Sequence, residues 1–323
     1  MTKICQTLLL LSLPLLGQAA EPIPFPTQGR LVVLGDSITY SGHYVALLEF
    51  YVRTSKPDST LRILNLGLPS ETVSGLSEPG HAGGSFPRPD LHERLERVLE
   101  KTHPTLILAC YGMNDGIYYP YARQRFQAFR NGMDRLREKA GEVPVIHVTP
   151  PVFDPVPIRN RVLPRGREAY PQPYEGYDEV LGLYGAWLLA QRGQGWSVVD
   201  VHGPMRAFLR DQRLKDPKFL LAEDGVHAND QGHWLIAREI LLAWGASPEW
   251  AGQSSPDVLL GPNPKRHQAL DLIRKKQRLL SDAWLIDVGH KRPGMAKGKP
   301  LGQAQEEADR MDGEIEALLT SPH

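Results

Sequence analysis

Cysteine is almost missing from the 323 residues: only Cys5 and Cys110 occur. So small a supply builds neither a disulfide framework nor a cysteine-ligated metal site. An excess of charge is missing too. Lys plus Arg and Asp plus Glu stand at 37 each, so no global field draws the chain to nucleic acid or to an anionic membrane. No apolar run is long enough to span a bilayer. No G-x-S-x-G run is present, which argues against the nucleophile elbow of the α/β-hydrolase fold. There is no internal repeat.

What is present is a globular composition with room for a sizeable core. The N-terminus reads as an export signal: Lys3, then the apolar residues 8–16, then small residues over 17–20. An apolar core of that length suits a cleaved signal peptide over 1–20, leaving a mature chain that begins near Ala20 or Glu21; retention as an anchor is the alternative. Cleavage removes Cys5. Cys110 then stands alone at the end of the apolar run 106–110, as a small buried hydrophobe.

Short continuous apolar runs at 31–34, 61–66, 105–110, 143–148 and 197–201 read as buried strands of a parallel sheet. Helical patterns at 44–52, 91–99, 121–139, 177–191, 205–212 and 229–244 alternate with them. About five strands in this alternation make a three-layer α/β fold over 21–247, with active groups beyond the carboxyl ends of the strands. Residues 150–173, rich in Pro and Arg, read as a long surface loop. Beyond a connector at 251–264, two narrow apolar stripes, Leu270, Ile273, Leu280 and then Ala304, Ala308, Met311, Ile315, Leu318, mark a helical extension over 248–323 packed on the core. A separate helical module is the alternative.

The chemistry gathers at the strand ends. The first strand runs into Gly35-Asp36-Ser37-Ile38-Thr39, the second into Asn65-Leu66-Gly67, and the third into Gly112-Met113-Asn114-Asp115; Asp224-Gly225-Val226-His227 precedes the last core helix. A serine hydroxyl needs a base within hydrogen-bond reach and a third group to orient that base. Ser37, His227 and Asp224 supply those parts, and the three-residue spacing lets the carboxylate reach Nδ1 while Nε2 faces the hydroxyl. A tetrahedral oxyanion needs preorganised donors. The N–H groups of Ser37 and Gly67 and the side-chain amide of Asn114 are the candidates.

This ordered set resembles the SGNH, or GDSL-type, hydrolase family over roughly residues 31–244, with the named residue types falling on Ser37, Gly67, Asn114 and His227. Gly67 is the loosest match, because a single glycine after a strand is common. The resemblance implies a flavodoxin-like sheet and an esterase mechanism with no metal or organic cofactor.

Other polar residues have plainer readings. Asp36 holds its loop by hydrogen bonds, Thr39 caps the following helix, Asp115 fixes the Asn114 turn, and Asn65 forms a turn. His233 lies off the helical face of His227 with no third ligand nearby, so no metal site is expected. His103, His147 and His202 are placed at strand or loop edges. The insertion 77–90, with His81 and Arg88, lies at the mouth of the site. Arg88 reads either as a clamp for a carboxylate, sulfate or sugar hydroxyl or as the partner of a helix carboxylate. Tyr118, Tyr119 and Tyr121 follow on Asn114, and one of them offers a flat face to a sugar ring or an acyl group, unless it packs a helix start. Residues 265–299 hold ten basic and three acidic side chains, a local patch able to attract an anionic polymer or simply a solvated helix face.

The expected activity is therefore an exported serine esterase acting on a short-chain ester, acetyl first, on a carbohydrate, with a small-molecule or polysaccharide ester as substrate. No nucleic acid partner and no integral membrane span are expected. A lipid or thioester hydrolase on the same machinery and a non-catalytic carbohydrate-binding protein are the alternatives.

Overall fold

A computed structural model describes residue 23 and residues 25–320; the expected signal segment and Cys5 lie outside the described residues. In chain order the elements are β1 (Arg30–Gly35), α1 (Ser37–Ser41), α2 (His43–Ser55), β2 (Arg62–Asn65), α3 (Leu91–Thr102), β3 (Leu106–Cys110), α4 (Arg123–Ala140), β4 (Val145–Val148), α5 (Tyr177–Ala190), β5 (Ser197–Val199), α6 (His202–Arg213), α7 (Asp230–Ala243), α8 (Asp257–Leu260), α9 (Pro264–Asp287) and α10 (Leu301–Thr320).

The five strands pair in parallel in the order β2-β1-β3-β4-β5. The chain steps one way from β1 to β2 and the other way from then on. Right-handed crossovers therefore put α2 on one face of the sheet and α3, α4 and α5 on the other. The contacts agree: α2 packs with α7 and α9, and α3 with α4. A sheet covered on both faces needs strands without a polar face, and β1 and β3 are apolar and buried nearly throughout. The order of strands reverses between β1 and β3, and a crevice opens beyond their carboxyl ends. Ser37 follows β1 there and Asn114 follows β3.

Helix α9 lies against α2 and β2, and α10 packs on α9. Ala269, Leu270, Ile273, Trp284, Leu285 and Ile315 join the same core as the sheet. These apolar side chains of the extension face inward. Lys276 departs from the solvated face read from the sequence. It is buried and bonded to Glu49 and Asp312, while Gln277 Nε2 donates to the Ile63 carbonyl at 3.1 Å.

His147 also differs from expectation. It lies inside β4, fully buried, stacked on Trp196 with ring centroids 4.7 Å apart and both ring nitrogens unpartnered. Burial and the Arg137 charge push it down to about 3, so it is neutral. Among the described residues no helix is long and apolar enough to cross a membrane.

Candidate active site

Ser37 is the first residue of the five-residue helix α1. Asp36 caps that helix, its Oδ1 accepting the Ile38 N–H at 2.9 Å. The side-chain role read for Thr39 thus belongs to Asp36, and Thr39 Oγ1 instead lies 2.9 Å from the Tyr44 hydroxyl. The helix is anchored from β2 as well, because Asn65 Nδ2 donates to the Thr39 carbonyl at 2.7 Å. A position at the start of a helix leaves the Ser37 N–H without an intrahelical acceptor.

His227 stands opposite. Its Nε2 is 2.8 Å from Ser37 Oγ, and its Nδ1 is 2.6 Å from Asp224 Oδ2. The other carboxylate oxygen of Asp224 accepts the N–H groups of Val226 and His227 at 2.9 and 2.8 Å, so one side chain sets both the loop and the ring. The loop is fastened from outside by the Asp154 N–H, which donates to the Gly225 carbonyl at 2.8 Å. Gly225 has φ of 77°, and a Cβ there would lie 2.3 Å from the Asp154 carbonyl oxygen, so only glycine fits. Burial opposes the charge of Asp224, but the His227 hydrogen bond and the two backbone donors hold its carboxyl well below the usual range. The hydrogen bond to Asp224 raises His227 above its ordinary value. About half of each side chain, 53% for His227 and 49% for Asp224, is open to solvent.

Asn114 is oriented by its neighbours. Arg88 Nη1, which can only donate, lies 2.8 Å from Asn114 Oδ1, and the Tyr118 hydroxyl donates to the same oxygen at 3.2 Å. The amide nitrogen therefore points the other way and gives one hydrogen to the Glu71 carbonyl at 3.2 Å. Its second hydrogen remains available. The chain after Asn114 is held in a costly shape: Ile117 and Tyr118 have φ of 49° and 58°, a region that side chains occupy mainly where the surroundings enforce it. Tyr118 stacks on Tyr177 with centroids 4.8 Å apart, and the Arg88 guanidinium lies 5.3 Å from its ring centre.

Three expectations change. Gly67 is not free to donate to an oxyanion, because its N–H is committed to Asn65 Oδ1 at 3.0 Å. Its glycine character serves close packing instead: a Cβ would fall 2.4 Å from the Tyr40 backbone nitrogen. Arg88 is not an open clamp. It is 8% exposed and doubly bonded to Glu78, at 2.6 and 2.7 Å, within its own insertion. His81 supports the same group, its Nδ1 3.2 Å from Glu78 Oε1.

Sequence reasoning missed Ser70. The segment 68–71 is a β-turn closed by the Glu71 N–H to the Leu68 carbonyl at 3.1 Å. Pro69 and a left-handed Ser70, φ of 68°, occupy its centre, the pattern of a type II turn that usually has glycine second. Among the described residues the Ser70 N–H has no protein acceptor, and the next carbonyl in the chain holds Asn114. Glu71 pins the turn by a buried double contact to Arg94, at 2.6 and 2.7 Å, and by the Tyr111 hydroxyl at 2.6 Å. The strand-terminal Asn65-x-Gly67 drew attention to an N–H that is already bonded; a proline two residues beyond the glycine was the available sign of the turn that leaves the Ser70 N–H open.

Asp36 and Asp115 sit beneath this crevice. Burial pushes them up to about 7 and about 6, and Asp115 Oδ1 accepts the Ser74 N–H at 2.8 Å, tying the loop after β2 to the loop after β3. Among the described residues no group of three or more His, Cys, Asp or Glu side chains is arranged to hold a metal ion.

Residues 33–235 match the model of the GDSL-like lipase/acylhydrolase family. No curated protein matches the chain. Among solved structures, a gut microbial diltiazem-metabolizing enzyme is similar at 21% identity with a TM-score of 0.54, over 70% of this chain and 49% of that one. The chain thus spans about half the length of that enzyme. A lipase/acylhydrolase from Enterococcus faecalis matches at 18% identity and a TM-score of 0.46, over 66% of this chain and 94% of that one. A lipolytic protein of the G-D-S-L family from Desulfitobacterium hafniense matches at 18% identity and a TM-score of 0.43, over 66% and 98%. With the family model spanning well over half its length, the chain belongs to the GDSL-like lipase/acylhydrolase family, hydrolases of ester bonds.

Proposed function

We propose that this protein is an exported serine esterase that removes a short acyl group, acetyl first, from a carbohydrate. The observation that carries the proposal is the unbroken hydrogen-bond chain from Ser37 Oγ through His227 to Asp224, at 2.8 and 2.6 Å. In this reading Ser37 Oγ attacks the ester carbonyl as its proton passes to His227 Nε2. The N–H groups of Ser37 and Ser70 and the free hydrogen of Asn114 Nδ2 hold the oxyanion. His227 returns the proton to the departing alcohol. Water, deprotonated by the same nitrogen, then releases the acid and restores Ser37. Asp224 keeps the Nδ1–H tautomer and stabilises the imidazolium.

A polar substrate is favoured by the surroundings. The His227 and Asp224 side chains are half open, and two grooves, of about 440 Å³ beside Ser41 and α9 and about 210 Å³ beside Leu68, Glu71 and Arg88, carry Arg, Lys, Glu and Asp side chains on their walls. Residues 21–247 would form the catalytic unit and 248–323 an extension packed on it.

The test is hydrolysis of p-nitrophenyl acetate and octanoate, followed by acetate release from acetylated glycans. The expected result is Ser37-dependent turnover of acetate over octanoate. Preference for octanoate would give the lipid or thioester reading, and folded protein without turnover would give a binding protein.

A further inference from the structure

We infer that the seam between the core and the extension forms a binding site for an oxyanion group, carboxylate or sulfate, on the carbohydrate next to the scissile ester. The inference rests on the esterase reading above and names its substrate class as an acidic glycan. The seam is a groove of about 440 Å³ lined by Ser41, His43, Arg274, Lys275, Arg278 and Leu279.

Three of these are cations from α9. Arg274 and Arg278, four residues apart, share one helical face. Arg278 is fixed: its guanidinium lies 3.8 Å from the Tyr40 ring centre, and Nη2 donates to the Ser41 carbonyl at 3.2 Å. Arg274 reaches Asp230 and Asp271 only at 3.4 Å, and its buried Nε has no partner. Lys275 is exposed and pairs with no carboxylate among the described residues. Asp230 is in turn engaged by His43 Nδ1 at 2.6 Å. The groove therefore holds two cations with unused donors beside one that is held in place, and guanidinium groups bind planar oxyanions well.

Its location ties it to the chemistry. Ser41 ends the helix that Ser37 begins, about 6 Å further along the axis at 1.5 Å per residue. Asp230 follows His227 by three residues. The extension is held against this spot by Lys276 and Gln277, which reach Glu49 on α2. An ester bound at Ser37 would thus carry its neighbouring sugar toward the cations.

The experiment measures binding of the full mature chain to polygalacturonate, dextran sulfate and neutral dextran, with p-nitrophenyl acetate hydrolysis recorded on the same preparations. The wild type should bind one or both charged polymers and not dextran, more weakly as salt is raised. The double variant Arg274→Gln/Lys275→Gln should lose roughly tenfold or more in that affinity while its p-nitrophenyl acetate rate stays unchanged. Binding to polygalacturonate assigns carboxylate, and binding to dextran sulfate alone assigns sulfate. Equal binding to dextran, no binding to either charged polymer, wild-type affinity in the double variant, or loss of its small-ester activity would each overturn the site. Loss of hydrolysis in the wild type with selective binding intact would overturn the esterase reading alone.

Discussion

Replacing Gly67 with alanine keeps the backbone N–H and adds one methyl group. That methyl would lie 2.4 Å from the Tyr40 nitrogen and 2.8 Å from two atoms of Thr39, all but one of them backbone atoms of α1. Restoring van der Waals contact requires the helix to retreat by about an ångström. Helix α1 has little freedom to do so, because Asn65 holds the Thr39 carbonyl from the same strand end. Overpacking of this kind costs about 1–3 kcal/mol, which in a protein of this size lowers Tm by roughly 2–4 °C per kcal/mol. The displaced helix also begins with Ser37, and an ångström of misplacement costs on the order of 10²-fold in rate. Calorimetry and kcat on p-nitrophenyl acetate therefore fall together. A loss of rate at unchanged Tm, or no change in either, would refute the packing argument.

In the proposed mechanism Asn114→Ala removes an oxyanion donor and should cost about 10²–10³-fold in kcat, with KM nearly unchanged; Arg88→Met removes one of the two donors that orient the Asn114 amide and should lower kcat less, again with little effect on KM. If Arg88→Met raised KM alone, Arg88 would be a substrate contact after all. Asp224→Asn removes the hydrogen bond that raises His227, so the acid limb of kcat/KM, where the base must be neutral, should move to lower pH as the maximum falls. A limb that stays in place would separate the limb from His227. His147 is held neutral when folded, so protonation in the unfolded chain removes stability as pH falls from about 6.5 toward 3, by about 1.4 kcal/mol per pH unit. His147→Phe should flatten that decline between pH 7 and pH 5 in chemical denaturation, and an unchanged slope would count against it.

Much of the site was legible because its parts lie at strand ends. An apolar run stopping at Gly35-Asp36-Ser37 announces both a buried strand and an exposed hydroxyl, and Asp224 and His227 are close enough in sequence to meet on one loop. The proposed oxyanion donors were harder to read. Gly67 carries a residue type that signals backbone approach, and backbone does approach it, but the approaching chain is α1 and not a substrate. Ser70 has the left-handed backbone that glycine would have advertised, and a serine there looks ordinary. Arg88 was visible as a charge in an insertion, yet its partners are 10 and 26 residues away, and only the folded loop decides between clamp and support. The basic run of the extension was plain, while the burial of Lys276 depends on Glu49, more than 200 residues earlier.

The most direct test of the account is reaction of the protein with a fluorophosphonate ester, read by intact mass and peptide mapping beside the p-nitrophenyl acetate rate. The account predicts a single adduct on Ser37, none in Ser37→Ala, and a rate in that variant lower by roughly 10⁴–10⁶-fold. An adduct mapped to another residue, or a folded Ser37→Ala protein that retains its rate, would contradict it.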